Sequence, residues 1–378
     1  MALRVLTRVP YGNATRVSVH DNKEIPEVHF IPAPHGAPEA LWFCFRVVES
    51  DSDKEHPGKF KLVLRNFGNM LGASDPAMCI PVCRPAGQGW VRMKTGAAER
   101  DPDGRISASW ALNYPAPYVD IAFCFPYGRH ELKSLVRKSR GDWHLDEIGV
   151  SQAGKPIWRV ANDYGTDPKR PGLYFIARQH AGETPGSWVL DGVLDRFSRA
   201  KLNPFTIWCI PFGNIDGIER GDYGKDSFPI DVNRAWGVPP LRHENLVIQR
   251  DIERWRERCE PYLALDFHAP GAFQTEGVYT YVPADAPDKS LEKSAEKWNN
   301  VLEDALGKDY AADNFARVSD YPSRWSSPSF GRYMRSMGID CLSLETPYSM
   351  VGNTVLTTRR YREIGRHIAD AILRRHGI

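Results

Sequence analysis

The stretch Leu173-Tyr-Phe-Ile-Ala-Arg-Gln-His180-Ala-Gly-Glu183-Thr-Pro-Gly-Ser-Trp188 decides how this chain is read. An apolar run, Leu173–Ala177, gives way through His180 and Glu183 to a segment ending at Phe197 whose apolar residues recur at helical spacing. That pattern predicts a buried strand followed by a helix, with an imidazole and a carboxylate at the junction. The spacing can aim both groups at one divalent metal. A catalytic zinc site typically takes three protein ligands from His and carboxylate and keeps a fourth position for water, so one further His is needed. His268 can supply it, because it closes another apolar run, Tyr262–Phe267.

Two more runs end in polar residues able to do chemistry: Phe205–Phe212 before Asn214-Ile-Asp-Gly217, and Ile339–Leu344 before Glu345. Near-continuous apolar runs separated by helical stretches read as buried strands of a largely parallel sheet, and such sheets bind ligands outside the carboxyl ends of their strands. All four polar groups are expected at that edge. Helices are predicted over Glu244–Cys259, Asp288–Ala305, Ser329–Met337 and Arg359–Arg375.

At 378 residues the chain is long for a single core and suggests two domains. Before about residue 126 come short segments rich in β-branched and aromatic residues: Arg16–His20, Leu41–Val48, Lys59–Asn66, Trp90–Lys94, Ile106–Leu112 and Tyr118–Phe125. Turn signals such as Gly87-Gln-Gly and Asp101-Pro-Asp-Gly104 separate them, which predicts an all-β antiparallel sandwich over 1–126. Residues 127–378 then form an α/β domain with a doubly wound, mixed but mostly parallel sheet.

With 49 Lys+Arg against 47 Asp+Glu, the chain carries no whole-chain footprint for nucleic acid or membrane. No apolar segment approaches the ~20 residues of a membrane span, and the first residues lack a secretory core, so a cytoplasmic protein is expected. The seven cysteines lie mostly within apolar runs and are expected to be buried free thiols.

His180-x-x-Glu183, Asn214-Ile-Asp-Gly217, Asp231-Val-Asn233-Arg234, His268 and Glu345 resemble, in this order, the signature of the M14 zinc carboxypeptidases. Leu41–Phe45, Lys61–Phe67 and Phe123–Tyr127 look like the sandwich that precedes the catalytic domain in the cytosolic carboxypeptidase branch, and Ala177–Trp188 is close to that branch's zinc motif. The resemblance implies a hydrolase with one zinc ion per chain held by His180, Glu183 and His268. It makes Glu345 the general base and sets Arg234, with Asn233 beside it, to hold the terminal carboxylate of a peptide or protein tail. Glutamate is the released residue it suggests.

Two family roles do not map directly. The family's carbonyl-polarising arginine falls at Gly224, leaving Lys225 or Arg220 to present the cation, and its mobile tyrosine has Tyr321 and Tyr348 as candidates. Arg324, Arg332 and Arg335 read as a solvated helix face, with an acid-binding pocket wall as the alternative. Trp188 and Trp236 read as packing residues. Two other functions share the sequence: a zinc amidase or deacylase of small N-acyl amino acids, and a non-catalytic binding protein retaining the fold.

Overall fold

The structure is a computed structural model and describes residues 3–21, 23–38, 40–49, 58–70, 75–100, 102–113, 117–283, 289–319 and 323–378. The strands of the amino-terminal part are β1 (Leu3–Leu6), β2 (Thr15–His20), β3 (Glu27–Ile31), β4 (Cys44–Glu49), β5 (Lys59–Leu64), β6 (Val82–Pro85), β7 (Val91–Arg92), β8 (Ala97–Arg100), β9 (Ile106–Asn113) and β10 (Tyr118–Ala122). They form two five-stranded sheets, ordered β1-β4-β10-β6-β7 and β2-β3-β5-β9-β8. Alternation puts one side chain in two on the inner face. Phe30 of β3 meets Phe45 of β4 there, with ring centroids 4.7 Å apart. The expected antiparallel pairing holds except between β3 and β5, which run parallel, because about thirty residues including β4 of the opposite sheet separate them.

Beyond the connector come α1 (Arg129–Lys138), β11 (His144–Val150), β12 (Pro156–Ala161), β13 (Pro171–Ala177), α2 (Thr184–Ser198), β14 (Thr206–Ile210), α3 (Ile215–Arg220), α4 (His243–Arg256), β15 (Glu260–His268), β16 (Val278–Pro283), α5 (Lys289–Tyr310), β17 (Ala311–Ser319), α6 (Phe330–Ser336), β18 (Cys341–Glu345) and α7 (Thr358–Arg375). One eight-stranded sheet runs β11-β12-β14-β13-β15-β18-β16-β17. Its centre, β14-β13-β15-β18, is parallel throughout. The flanking pairs β11–β12, β12–β14 and β16–β18 are antiparallel. The four apolar runs of the sequence are these four central strands, buried on both faces as a parallel sheet requires.

Adjacent residues of β13 show which helices cover which face. Tyr174 packs against Trp255 of α4 at 5.4 Å, whereas Phe175 packs against Phe197 of α2 at 6.4 Å. Successive strand side chains point to opposite faces, so α2 and α4 lie on opposite sides of the sheet. The chain leaves β13 for its neighbour β14 on one side and later returns to β15 on the other, and this strand-order reversal opens a crevice at the carboxyl ends of β13 and β15.

The closing helix α7 buries its apolar face, including Tyr361, Ile364, Ile368 and Ile372, so only its basic side is solvated. It crosses α2 at very short range: a Cβ on Gly365 would stand 2.0 Å from the Val189 carbonyl oxygen, and one on Gly192 would stand 2.2 Å from that of Arg362. The two parts of the molecule share a continuous core. Trp188 Nε1 donates to the Phe125 carbonyl at 3.0 Å, Asn13 Nδ2 to that of Gly221 at 2.8 Å, and Arg92 Nε to that of Leu356 at 2.9 Å. The cysteines are all free, six of them buried and Cys83 half-buried. No helix among the described residues is long and apolar enough to cross a membrane.

Because backbone rather than a flexible side chain blocks the added carbon at the α2–α7 crossing, Gly365→Ala is expected to lower unfolding stability by about 1–3 kcal/mol. Gly68→Ala, where a Cβ meets nothing within 4 Å, is expected to change it by less than ~0.5 kcal/mol. Denaturant titration of the two variants checks the contrast.

Candidate metal centre and active site

The β13–α2 turn is built to bring Glu183 across to β15. Arg178, with φ of 61° and 2% exposed, donates from Nε to the Ala181 carbonyl at 2.7 Å and from Nη1 to the Tyr127 carbonyl at 3.0 Å. Burial lowers its guanidinium pKa to about 10. At Gly186 a Cβ would lie 2.6 Å from the Phe267 carbonyl oxygen, so the bare glycine lets the first turn of α2 rest on the end of β15. The register of β15 against β18 then sets His268 directly opposite Glu345.

His180, Glu183 and His268 each present a ligand atom within 4.8 Å of the others, and all three are buried. His180 Nδ1 lies 2.8 Å from Glu183 Oε1, and His268 Nδ1 lies 2.7 Å from Glu183 Oε2. The far side of each ring faces a carboxylate: Asp231 Oδ2 is 3.2 Å from His180 Nε2, and Asp266 Oδ2 is 2.8 Å from His268 Nε2. Carboxylates that accept Nε2–H fix the tautomer and turn the Nδ1 lone pairs inward, the arrangement that holds ligating histidines in metal sites.

Two imidazoles and a carboxylate, with no thiolate, are a donor set that suits zinc. The electrostatics agree with a cation at the centre. Burial alone would push His180 down, yet Glu183 and Asp231 outweigh it and raise the ring to about 9. His268 is also raised, with Asp266 and Glu183 overcoming its burial. Asp231 is held at about 2 because His180 and neighbouring donors overcome its desolvation. The cluster carries surplus negative charge that only a cation or bound protons can offset.

Two supports escaped the sequence reading. Asp266 lies inside an apolar run; Gln179 Nε2 donates to its Oδ2 at 2.7 Å, and Trp236 Nε1 donates to Gln179 Oε1 at 2.7 Å. Asp231 was visible only as part of a motif; its Oδ1 and Oδ2 also accept the backbone N–H groups of Asn233 at 2.7 Å and Asp226 at 2.6 Å. Trp188 and Trp236 are buried packing residues, as expected.

The donors open into a cavity of about 270 Å³ lined by His180, Lys225, Asn233, Arg234, His268 and Glu345. Ser323, Trp325, Ser326, Ser327 and Ser329 line one sequence-continuous part of it, and Tyr281, Arg332 and Ser343 also line it. Glu345 is 8% exposed and its Oε2 has no hydrogen-bond partner among the described residues. Burial raises its pKa, opposed by His268, reinforced by Glu183 and opposed again by Lys225. The Asn233 amide nitrogen lies 3.1 Å from His268 Nε2, while its Oδ1 accepts the Phe330 N–H at 3.0 Å. Arg234 donates to the Asn233 carbonyl at 2.8 Å.

Of the two candidate cations, Lys225 lines the cavity and Arg220 does not. Arg220 is drawn outward to Asp222 Oδ2 at 2.7 Å, with its side chain 58% exposed. Gly224, with φ of 90°, would place a Cβ 2.8 Å from Ala181 N, so the bare backbone there packs on the histidine-bearing turn. Tyr321 lies outside the described residues. Tyr348 is fully buried against Phe123, its hydroxyl without a partner among the described residues. Arg324 and Arg332 are exposed, as expected, and Arg332 also lines the cavity; the expectation is corrected only at Arg335, 1% exposed because α6 packs closely over β15, β16 and β18.

No family model matches the chain. Its relatives include cytosolic carboxypeptidase 2 of Xenopus tropicalis, 26% identical over 326 residues, covering 76% of this chain and 33% of the relative. Human cytosolic carboxypeptidase 6 is 23% identical over 364 residues, covering 88% and 71%. The chain thus spans about a third of the first relative's length. A metallo-carboxypeptidase from Burkholderia cenocepacia has the same fold, with a TM-score of 0.77 at 17% identity, covering 99% of this chain and 98% of that one. The chain therefore shares the fold of a metallo-carboxypeptidase. In sequence it is similar to the cytosolic carboxypeptidases.

If Asp266 orients His268 as its hydrogen bond indicates, Asp266→Ala is expected to weaken metal binding ~10–100-fold, as loss of such a partner typically does. Chelator competition against a zinc indicator measures it, with circular dichroism showing that the fold is retained.

Proposed function

We propose that the protein is a zinc-dependent metallocarboxypeptidase that removes the C-terminal residue of a peptide or protein tail, with glutamate as the residue released. One observation carries the reading. Three converging donors, a buried Glu345 with an unpartnered oxygen, and three cations, Lys225, Arg234 and Arg332, share one cavity.

In this reading His180, Glu183 and His268 hold the zinc ion, which supplies Lewis-acid polarisation to the water and the scissile carbonyl. Glu345 takes the proton of the attacking water and delivers it to the leaving amine as the C–N bond breaks. Its raised proton affinity suits both halves of that task. Lys225 faces the oxygen on which negative charge develops. Arg234, steadied by Asn233, pairs with the terminal carboxylate, since a planar guanidinium makes two parallel charge-assisted bonds to it.

Those roles occupy two of the three cations. Arg332 lines the same cavity, and we assign it to an acidic side chain on the terminal residue. The naming of the relatives supports a cytoplasmic location.

The test is to load the protein with zinc, offer peptides with varied C-terminal residues and identify the products by mass. Release of single residues with glutamate preferred is expected. Glu345→Gln should lower kcat by ~10²–10⁴ with zinc content unchanged. Arg332→Ala should lower kcat/KM for glutamate ~10–100-fold while sparing neutral residues, the range of a lost hydrogen bond to a charged group. Turnover confined to small N-acyl amino acids would favour an amidase instead. No turnover with one zinc bound would favour a binding protein.

A further inference from the structure

Lys225 sits between two residues in left-handed backbone, Gly224 at φ 90° and Asp226 at φ 50°. Glycine adopts that region freely, whereas a non-glycine residue does so at a cost of about 1–2 kcal/mol and stays only where its surroundings over-determine it. Asp226 is over-determined. Its N–H donates to Asp231 Oδ2 at 2.6 Å, its Oδ1 accepts Ser323 Oγ at 2.6 Å, and its carbonyl accepts Arg324 Nε at 2.9 Å. Arg324 also donates from Nη2 to the carbonyl of Gly36 at 2.9 Å, and Gly36 in turn accepts the Phe228 N–H at 2.9 Å. One residue therefore ties together the carboxylate that supports His180, the serine wall of the cavity and a loop of the amino-terminal part.

We propose that Asp226 is a positioning residue: clamped by Asp231, Ser323 and Arg324, it holds the backbone so that the Lys225 side chain projects into the cavity beside Glu345. This rests on the assignment of Lys225 as the carbonyl-polarising cation. The physical need for a clamp follows from the lysine itself. An ammonium on a flexible four-carbon stem reaches the cavity only from a backbone that presents it there. A misplacement of about 1 Å costs a reaction ~10²-fold. The clamp also gives the sandwich a part in catalysis, because Gly36 anchors the far side of Arg324.

Two substitutions separate position from charge. Asp226→Asn keeps the tolerance for left-handed backbone and the acceptor for Ser323, and Asp226→Ala removes both. With zinc-loaded protein, Asp226→Ala is expected to lower kcat on a susceptible peptide ~10–100-fold with KM changed less than ~3-fold, while Asp226→Asn stays within ~3-fold of the parent. In a Lys225→Ala background, Asp226→Ala should add nothing further, since residues acting through one group are not additive. The rate of reductive methylation at Lys225, read by peptide mass spectrometry, should rise in Asp226→Ala and not in Asp226→Asn.

Independent losses that multiply in the double variant, loss of zinc from Asp226→Ala, or an unchanged methylation rate would each overturn the proposal. If Lys225→Ala leaves kcat intact, the role given to the lysine fails, and the methylation rate alone decides whether Asp226 positions it. A chain that hydrolyses no peptide is decided by the same measurement.

Discussion

The parallel pairing of β13, β15 and β18 is the constraint on which the rest of the site depends. In a parallel sheet every strand ends at the same edge, so residues distant in sequence finish side by side without any loop reaching for them. The ladder that pairs Phe267 with Leu344 delivers His268 opposite Glu345 as its next rung. The ladder between β13 and β15 pairs Ala177 with Phe267, so the His180 turn leaves the sheet at the same level. Only Glu183 needs a local device, and the missing side chain at Gly186 provides it by letting α2 start against the β15 carbonyl.

Given that edge, charge dictates the second layer. Packing Glu183, Asp231, Asp266 and Glu345 around two imidazoles in a buried space is unfavourable unless something positive sits among them. The carboxylates at the Nε2 positions are themselves held, Asp266 by the Trp236–Gln179 chain and Asp231 by two backbone N–H groups. Each support is buried, so none can relax into solvent. Glu345 differs in lining the cavity, where a reacting group can reach it, and its Oε2 has no partner among the described residues.

What the sequence disclosed and what it hid follow from the same physics. The four central strands were legible because a strand buried on both faces must be apolar throughout, and the polar residue ending each run marked the sheet edge. The flanking strands were not legible. In β11 and β17 most positions are half-buried or exposed, which leaves no continuous run and no clean alternation. Strands β1, β3, β6 and β8 of the sandwich, at four or five residues each, were also missed. Asp266 was hidden by its apolar neighbours, and only the fold shows it facing a histidine. The burial of Arg335 and the cavity-facing position of Arg332 depend on how α6 sits over the sheet, which helical periodicity in seven residues does not fix.

In the proposed reaction the cation stands at Lys225, one residue after Gly224, where the resemblance places the family's arginine. At Gly224 the backbone packs against Ala181 N, so a branched or long side chain there would push on the turn that carries His180. Placing the cation one residue later would ordinarily turn it away, and the left-handed conformations at Gly224 and Asp226 reverse the chain on both sides of it. Each residue type fits the task proposed for it. A developing oxyanion is one centre of charge, which a compact ammonium satisfies from several directions, whereas a terminal carboxylate has two oxygens in a plane and is matched by a guanidinium fork. In the proposed reaction Lys225 meets the first and Arg234 the second.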